Sequence, residues 1–100
     1  MEQFQVANTI FHQLGGNRFA AMTGAAFILR DDGLNLKLPA RLTKNGINVV
    51  RITLMPTDTY SVSFEKITTR QFKQLSEHHD VYCDEIRELF ERETGMATRI

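Results

Sequence analysis

The chain predicts a two-layer α+β domain in which one antiparallel sheet of five or six strands is flanked by an N-terminal and a C-terminal helix. Three observations predict it: apolar residues at three- and four-residue spacing near the start, alternation of apolar and polar residues through the middle, and a second helical stripe near the end. That order lays helices over one face of a meander of strands. At 100 residues the chain has the size of a single domain, 1–100. Its 42% hydrophobic content, with seven Phe, suffices for a core that opposes the conformational entropy of folding.

Val6, Ala7, Ile10, Phe11 and Leu14 share one face of a helix from about Glu2 to Leu14, and Gly15 and Gly16 end it because glycine accepts the left-handed backbone of a helix terminus. Two short apolar runs follow, Arg18 to Thr23 and Ala26 to Arg30. Both read as strands, parted by a turn or bulge at Thr23-Gly24-Ala25. Leu34, Leu36 and Leu38 then alternate with Asn35 and Lys37, the period of a half-buried strand. Asp31-Asp32-Gly33 joins this strand to the one before it, and the Asp-Gly pair predicts a tight antiparallel hairpin through positive φ angles. The three leucines are expected to be buried together.

Pro39 stops that strand for want of an N–H, and Ala40 to Gly46 reads as a loop or single helical turn ending in Asn45-Gly46. Val50, Ile52 and Leu54 form one arm of a second hairpin, and Tyr60, Val62 and Phe64 the other, with one face apolar and the other wet. In Thr69 to His79, Phe72 and Leu75 fit a helical pair or an edge strand, and the segment reads as strand or irregular. Asp80 is expected to cap a final helix with Tyr82, Ile86, Leu89 and Phe90 as its inward stripe and Gly95 as its end.

The lone Cys83 cannot form an internal disulfide, which favours a reducing compartment. The start, Met-Glu-Gln-Phe-Gln, lacks the charged and apolar regions of a secretory signal, and no apolar stretch is long enough to cross a bilayer. A cytoplasmic protein without a membrane partner is expected. The net charge of zero gives no overall pull toward nucleic acid. The charges are nonetheless segregated. Gly33 to Thr57 holds Lys37, Arg41, Lys44 and Arg51 and no acid, whereas Asp80 to Glu93 holds six acids against Arg87 and Arg92.

Little in the chain carries catalytic chemistry. His78, His79 and Cys83 are the one cluster of metal-ligand types, but a structural zinc takes four ligands and His12 lies far off in sequence. They read as solvated linker histidines beside a small buried hydrophobe, and Asp84 and Glu85 next to Cys83 work against a thiolate nucleophile. Asp84 with Glu88 is a solvated helix face rather than an acid–base pair. Leu14-Gly15-Gly16-Asn17 lacks the glycine spacing and Lys of a phosphate loop and follows a helix instead of preceding one. No catalytic residue, metal or cofactor is expected.

Binding is the alternative. Lys37, Arg41, Lys44 and Arg51 lie on adjoining strands and their loop, where they could contact phosphates, although no stacking aromatics accompany them. Charges on a solvated sheet edge that discourage aggregation explain the same residues. Asn17, Arg18, Thr23 and Asn45 are polar positions beside glycines, the kind of loop site that a rigid sheet presents for recognition, and turn geometry explains them equally well. The candidate binding residues are therefore Asn17, Arg18, Lys37, Arg41, Lys44, Asn45 and Arg51.

Leu14-Gly15-Gly16-Asn17-Arg18-Phe19, Ala21-Met22-Thr23-Gly24-Ala25, and Lys44-Asn45-Gly46-Ile47-Asn48 followed by Val50-Arg51-Ile52-Thr53-Leu54 resemble a family of small uncharacterised proteins often encoded by bacteriophages and integrated mobile elements. The resemblance runs on through Tyr60, Val62 and Phe64 to Thr94-Gly95, and departs at Met96-Ala97, where similar proteins tend to carry Leu-Tyr. It implies a setting and no mechanism. In that setting the expectation is a non-catalytic accessory protein that binds a macromolecule, with a host or phage protein favoured. Inhibition of a host defence system belongs to this class. The alternative is a nucleic-acid binder using 37–51, and the outsider is a small metal-dependent or cysteine hydrolase.

Overall fold

The computed structural model describes residues 4–96. The first apolar stripe folds as helix α1 (Gln5–Leu14), which buries Ala7, Ile10 and Leu14. The expected start at Glu2 lies outside the described residues, as does Ala97 in the tail. Gly15 ends α1 at φ 124°, a backbone region that favours glycine.

The next segment departs from the expected strand. Residues Gly16–Thr23 form a second helix, α2, capped by Gly24 at φ 69°. Ala20, Ala21 and Met22 favour helix over strand, and the buried pair Phe19 and Thr23 has the four-residue spacing of a helix face. The Thr23 hydroxyl donates back to the Phe19 carbonyl at 2.8 Å and accepts from the Ala25 N–H at 3.2 Å, so it closes α2 and starts the strand beyond.

Five strands follow in a simple antiparallel meander: β1 (Ala26–Arg30), β2 (Gly33–Lys37), β3 (Val49–Leu54), β4 (Tyr60–Ile67) and β5 (Phe72–Val81). The β1–β2 hairpin forms as expected, with Arg30 opposite Gly33. Its cause differs from the expectation, because Gly33, Asp31 and Asp32 all lie outside the positive-φ region. Gly33 is required for space: a Cβ there would strike the Ile52 carbonyl oxygen of β3 and the Arg30 guanidinium. Through that gap Arg30 reaches Asp32 at 3.0 Å, Asn35 at 2.9 Å, the Ile52 carbonyl at 3.0 Å and the Thr53 hydroxyl at 2.9 Å. One side chain thus ties the turn to the two strands beyond it. Ala40–Leu42 and Lys44–Gly46 are short 3-10 turns between β2 and β3.

β5 settles the segment that fitted either a helical pair or a strand, and it extends further than expected. Its ladder pairs Tyr60 with Val81, which is buried, so Asp80 lies in the strand's end at φ 56° and caps nothing. Helix α3 (Ile86–Thr94) begins only after a turn that Glu85 anchors by accepting the Tyr82 N–H at 3.0 Å. Ile86, Leu89 and Phe90 face inward as expected, and Gly95 ends the helix at φ 75°. Tyr82 does not join them and is 60% exposed. Cys83, expected as a buried hydrophobe, lies exposed in the same turn.

The helices cover one sheet face. Leu34, Leu36, Val50, Ile52, Val62 and Phe64 meet α1, Phe19 and α3 in one core, in which Phe19 packs edge-on against Phe90 at 4.9 Å. Leu38 is buried with the other two leucines of its run. Each fully buried side chain of this size contributes about 1.5–3 kcal/mol. Among the described residues no helix is long and apolar enough to cross a membrane.

Candidate binding face on the uncovered side of the sheet

Strand alternation sends the residues between the core positions to the opposite face. The register sets them in rows: Ala26, Lys37, Val49 and Glu65 in one, and Ile28, Asn35, Arg51 and Ser63 in the next. This face was expected to be wet. It is not uniformly so, since Glu65 is 4% exposed and Ser63 and Val49 are buried. Arg51 crosses to the neighbouring row and donates from Nε to the Glu65 carboxylate at 2.8 Å, while the Ser63 hydroxyl donates to its other oxygen at 3.0 Å. Two donors therefore satisfy a carboxylate that water hardly reaches.

Beside this group lies a concavity of about 400 Å³, walled by Ile28, Asn35, Lys37, Leu38, Asn48, Val49, Arg51 and Ile67. Asn48 fixes its far rim: the side-chain amide donates to the Ile67 carbonyl at 2.7 Å and accepts the Ile67 N–H at 2.8 Å, imitating a strand partner for the end of β4. The result is an apolar floor of Ile28, Val49 and Ile67 edged by amides, by Lys37 and by the Arg51–Glu65 pair. Such a surface suits an apolar side chain with an acidic neighbour.

Of the seven candidate residues, the structure brings Lys37 and Arg51 together at this concavity. Lys44 lies elsewhere, donating to the Arg92 carbonyl at 3.3 Å and packing its chain near Gly95, at the end of α3. Asn45, beside it, is exposed at φ 58°. Arg41 is exposed on the first 3-10 turn, and Asn17 and Arg18 are exposed on α2. The expected strip of four cations is thus interrupted, with Arg51 neutralised by Glu65 and Lys44 engaged with α3. The apolar floor was missed. Its signal is the placing of apolar residues side by side in a strand, as in Val49-Val50 and Phe27-Ile28-Leu29, because period two sends one of each pair to the uncovered face.

A second crease, of about 240 Å³, lies between the end of β5 and α3 and includes His78, His79, Asp80, Glu85, Glu88 and Arg92. Its histidines point to opposite sides of β5. His78 Nε2 meets Glu93 at 3.0 Å with its ring edge-on to Phe64, whereas His79 bonds Glu77 at 3.0 Å and Ser61 at 3.3 Å. Hydrogen bonds from Ser76 and then His78 hold the Glu93 carboxyl below its ordinary range. Among the described residues no three His, Cys, Asp or Glu side chains form a metal-binding group.

No family model matches the chain, and no curated protein or solved structure does so either.

Proposed function

We propose that the protein is a non-catalytic accessory protein of a phage or mobile element, and that it acts by binding a protein of the host or the element through the uncovered face of its sheet. The setting rests on the resemblance of the glycine-flanked motifs. The mode of action rests on one observation: Lys37 and Arg51 flank an open concavity whose floor is Ile28, Val49 and Ile67. Apolar side chains ringed by amides, one lysine and an internally paired arginine favour a protein segment over a phosphate backbone, because phosphates gain nothing from an apolar floor. The engagement of Arg51 and Lys44 by groups of the protein itself weakens the nucleic-acid alternative in the same way. Inhibition of a host defence system is one role within this reading.

The test is capture from a nuclease-treated bacterial lysate by the immobilised protein, beside the double variant Lys37→Glu, Ile67→Ser. A specific partner retained by the wild type and weakened at least about tenfold in the variant supports the proposal. Equal capture by both moves the interface elsewhere. Binding that vanishes with nuclease and falls steeply with salt favours nucleic acid instead.

A further inference from the structure

The strand at one edge of the sheet, β1, reads Ala-Phe-Ile-Leu-Arg in unbroken register with β2, and Ile28 and Leu29 are 48% and 40% exposed. A regular apolar edge of this kind is a template for another strand. Its hydrogen-bonding phase follows from the neighbouring strands. The Asp32 carbonyl accepts the Leu54 N–H at 2.8 Å, and the Leu38 N–H donates to the Asn48 carbonyl at 2.8 Å, so the even-numbered residues of β2 bond toward β3. Gly33, Asn35 and Lys37 consequently bond toward Arg30, Ile28 and Ala26 of β1. The N–H and C=O groups of Phe27 and Leu29 are left pointing out of the sheet.

We infer that β1 pairs antiparallel with β1 of a second copy about a twofold axis at Ile28, joining the two sheets into one. In that register each Phe27 stands opposite the partner copy's Leu29, and these are the residues whose backbone groups point outward, so they exchange a reciprocal pair of hydrogen bonds on each side of the axis. The side chains complement one another too. Phe27 and Leu29 of the second copy arrive at an apolar groove of about 170 Å³ that runs between α1 and β1 past Asn8 and Phe11. On the other face the two Ile28 side chains meet. Charge agrees with this direction: the acidic turn at Asp31 reaches the end of β1 where Ala26 pairs with Lys37, and Arg30 faces Ala26 instead of another Arg30. The assembly stops at two copies, because the pairing uses up β1 while the other edge strand, β5, carries charges and register breaks.

The inference rests on the backbone of β1 and not on the partner proposed above, with whose concavity it shares Ile28. Its test is sedimentation and amide hydrogen exchange of the full chain across a range of concentration. A reversible monomer–dimer equilibrium is expected, with the Phe27 and Leu29 amides gaining protection as concentration rises and those of Ala26, Ile28 and Arg30 protected throughout. Leu29→Pro removes an outward N–H and a part-exposed apolar side chain and leaves the bonds toward β2 in place, and should weaken the dimer at least about tenfold while the monomer stays folded. Should that variant unfold, Ile28→Lys decides, since it sets two like charges face to face on the exposed axis. A wild type that is monomeric throughout, open assemblies beyond two copies, or a dimer unaffected by the deciding variant would overturn the inference.

Discussion

The two edges of the sheet are built to opposite rules. β1 is five residues of mainly apolar chain in perfect register with its neighbour, whereas β5 is ten residues carrying Lys73, Glu77, His78, His79 and Asp80, with register shifts at two points along β4. Charged side chains and irregular register both obstruct the approach of another strand. β5 is further tied to α3 by Glu93, which accepts from the Ser76 hydroxyl at 2.7 Å and meets His78. The difference teaches that an edge is protected by what would be lost when a strand docks there. At β5 a docking strand would meet charges and an irregular ladder, and at β1 it would meet apolar side chains and one arginine already bonded within the sheet.

The largest expected effect comes from putting proline on alternate residues of β1. Ile28→Pro deletes a bond toward β2 and should cost about 3 kcal/mol, a large share of a domain's marginal stability. Leu29→Pro deletes a group that points outward and a part-covered side chain, and should cost less, about 1–2 kcal/mol. Chemical denaturation of both variants as monomers measures the contrast, and similar losses would show that the bonding phase assigned to β1 is wrong.

Moving inward from the edge, Arg51→Ala should destabilise the protein by about 1–3 kcal/mol, because it leaves the buried Glu65 carboxylate with Ser63 as its remaining donor. The loss should appear as a lower denaturation midpoint, and the double variant Arg51→Ala, Glu65→Gln should recover part of it.

The smallest effect belongs to the β5 side. Hydrogen bonds from Ser76 and His78 lower the Glu93 carboxyl below its ordinary value of 4.5. A group lowered in the folded state contributes stability that is fully present above the unfolded value and is lost as pH falls through the folded one. Acid should therefore loosen the α3–β5 tie below 4.5, and Glu93→Gln should flatten that part of the melting-temperature profile. An unchanged acid limb would remove Glu93 from the protection of this edge.

The alternation of Leu34, Leu36 and Leu38 with polar residues, and of Val50 to Leu54 with Tyr60 to Phe64, was enough to read the central hairpins, because period two is a local property that burial of one face enforces. The helix-ending roles of Gly15 and Gly95 were equally legible, since their backbone angles are set within one turn. α2 was not, because its local helix signals, Ala20-Ala21-Met22 and the Phe19–Thr23 spacing, fill only eight residues, too few to hold a helix without the packing of Phe19 on Phe90 across most of the chain. Asp80 was misread as a cap for a related reason: pairing of Val81 with Tyr60 draws the chain onward as strand, a gain that no local signal registers. The same pairing carries Cys83 beyond the core into an exposed turn.

The candidate face divides along the same line. Lys37 and Arg51 could be picked out by the absence of acids around them, yet only strand pairing sets them beside Ile28 and Ile67 and sets Arg51 against Glu65, fourteen residues away. Sequence by itself determined the elements whose energetics are local: alternating strands, glycine-ended helices and the sign of each stretch of charge. The tertiary structure decided what depends on contacts between distant segments: the second helix, the space that only glycine can fill at position 33 beneath Arg30, and which backbone groups of β1 are left facing outward. Those features arise from register and packing between strands, and neither has a local energy that a single segment could express.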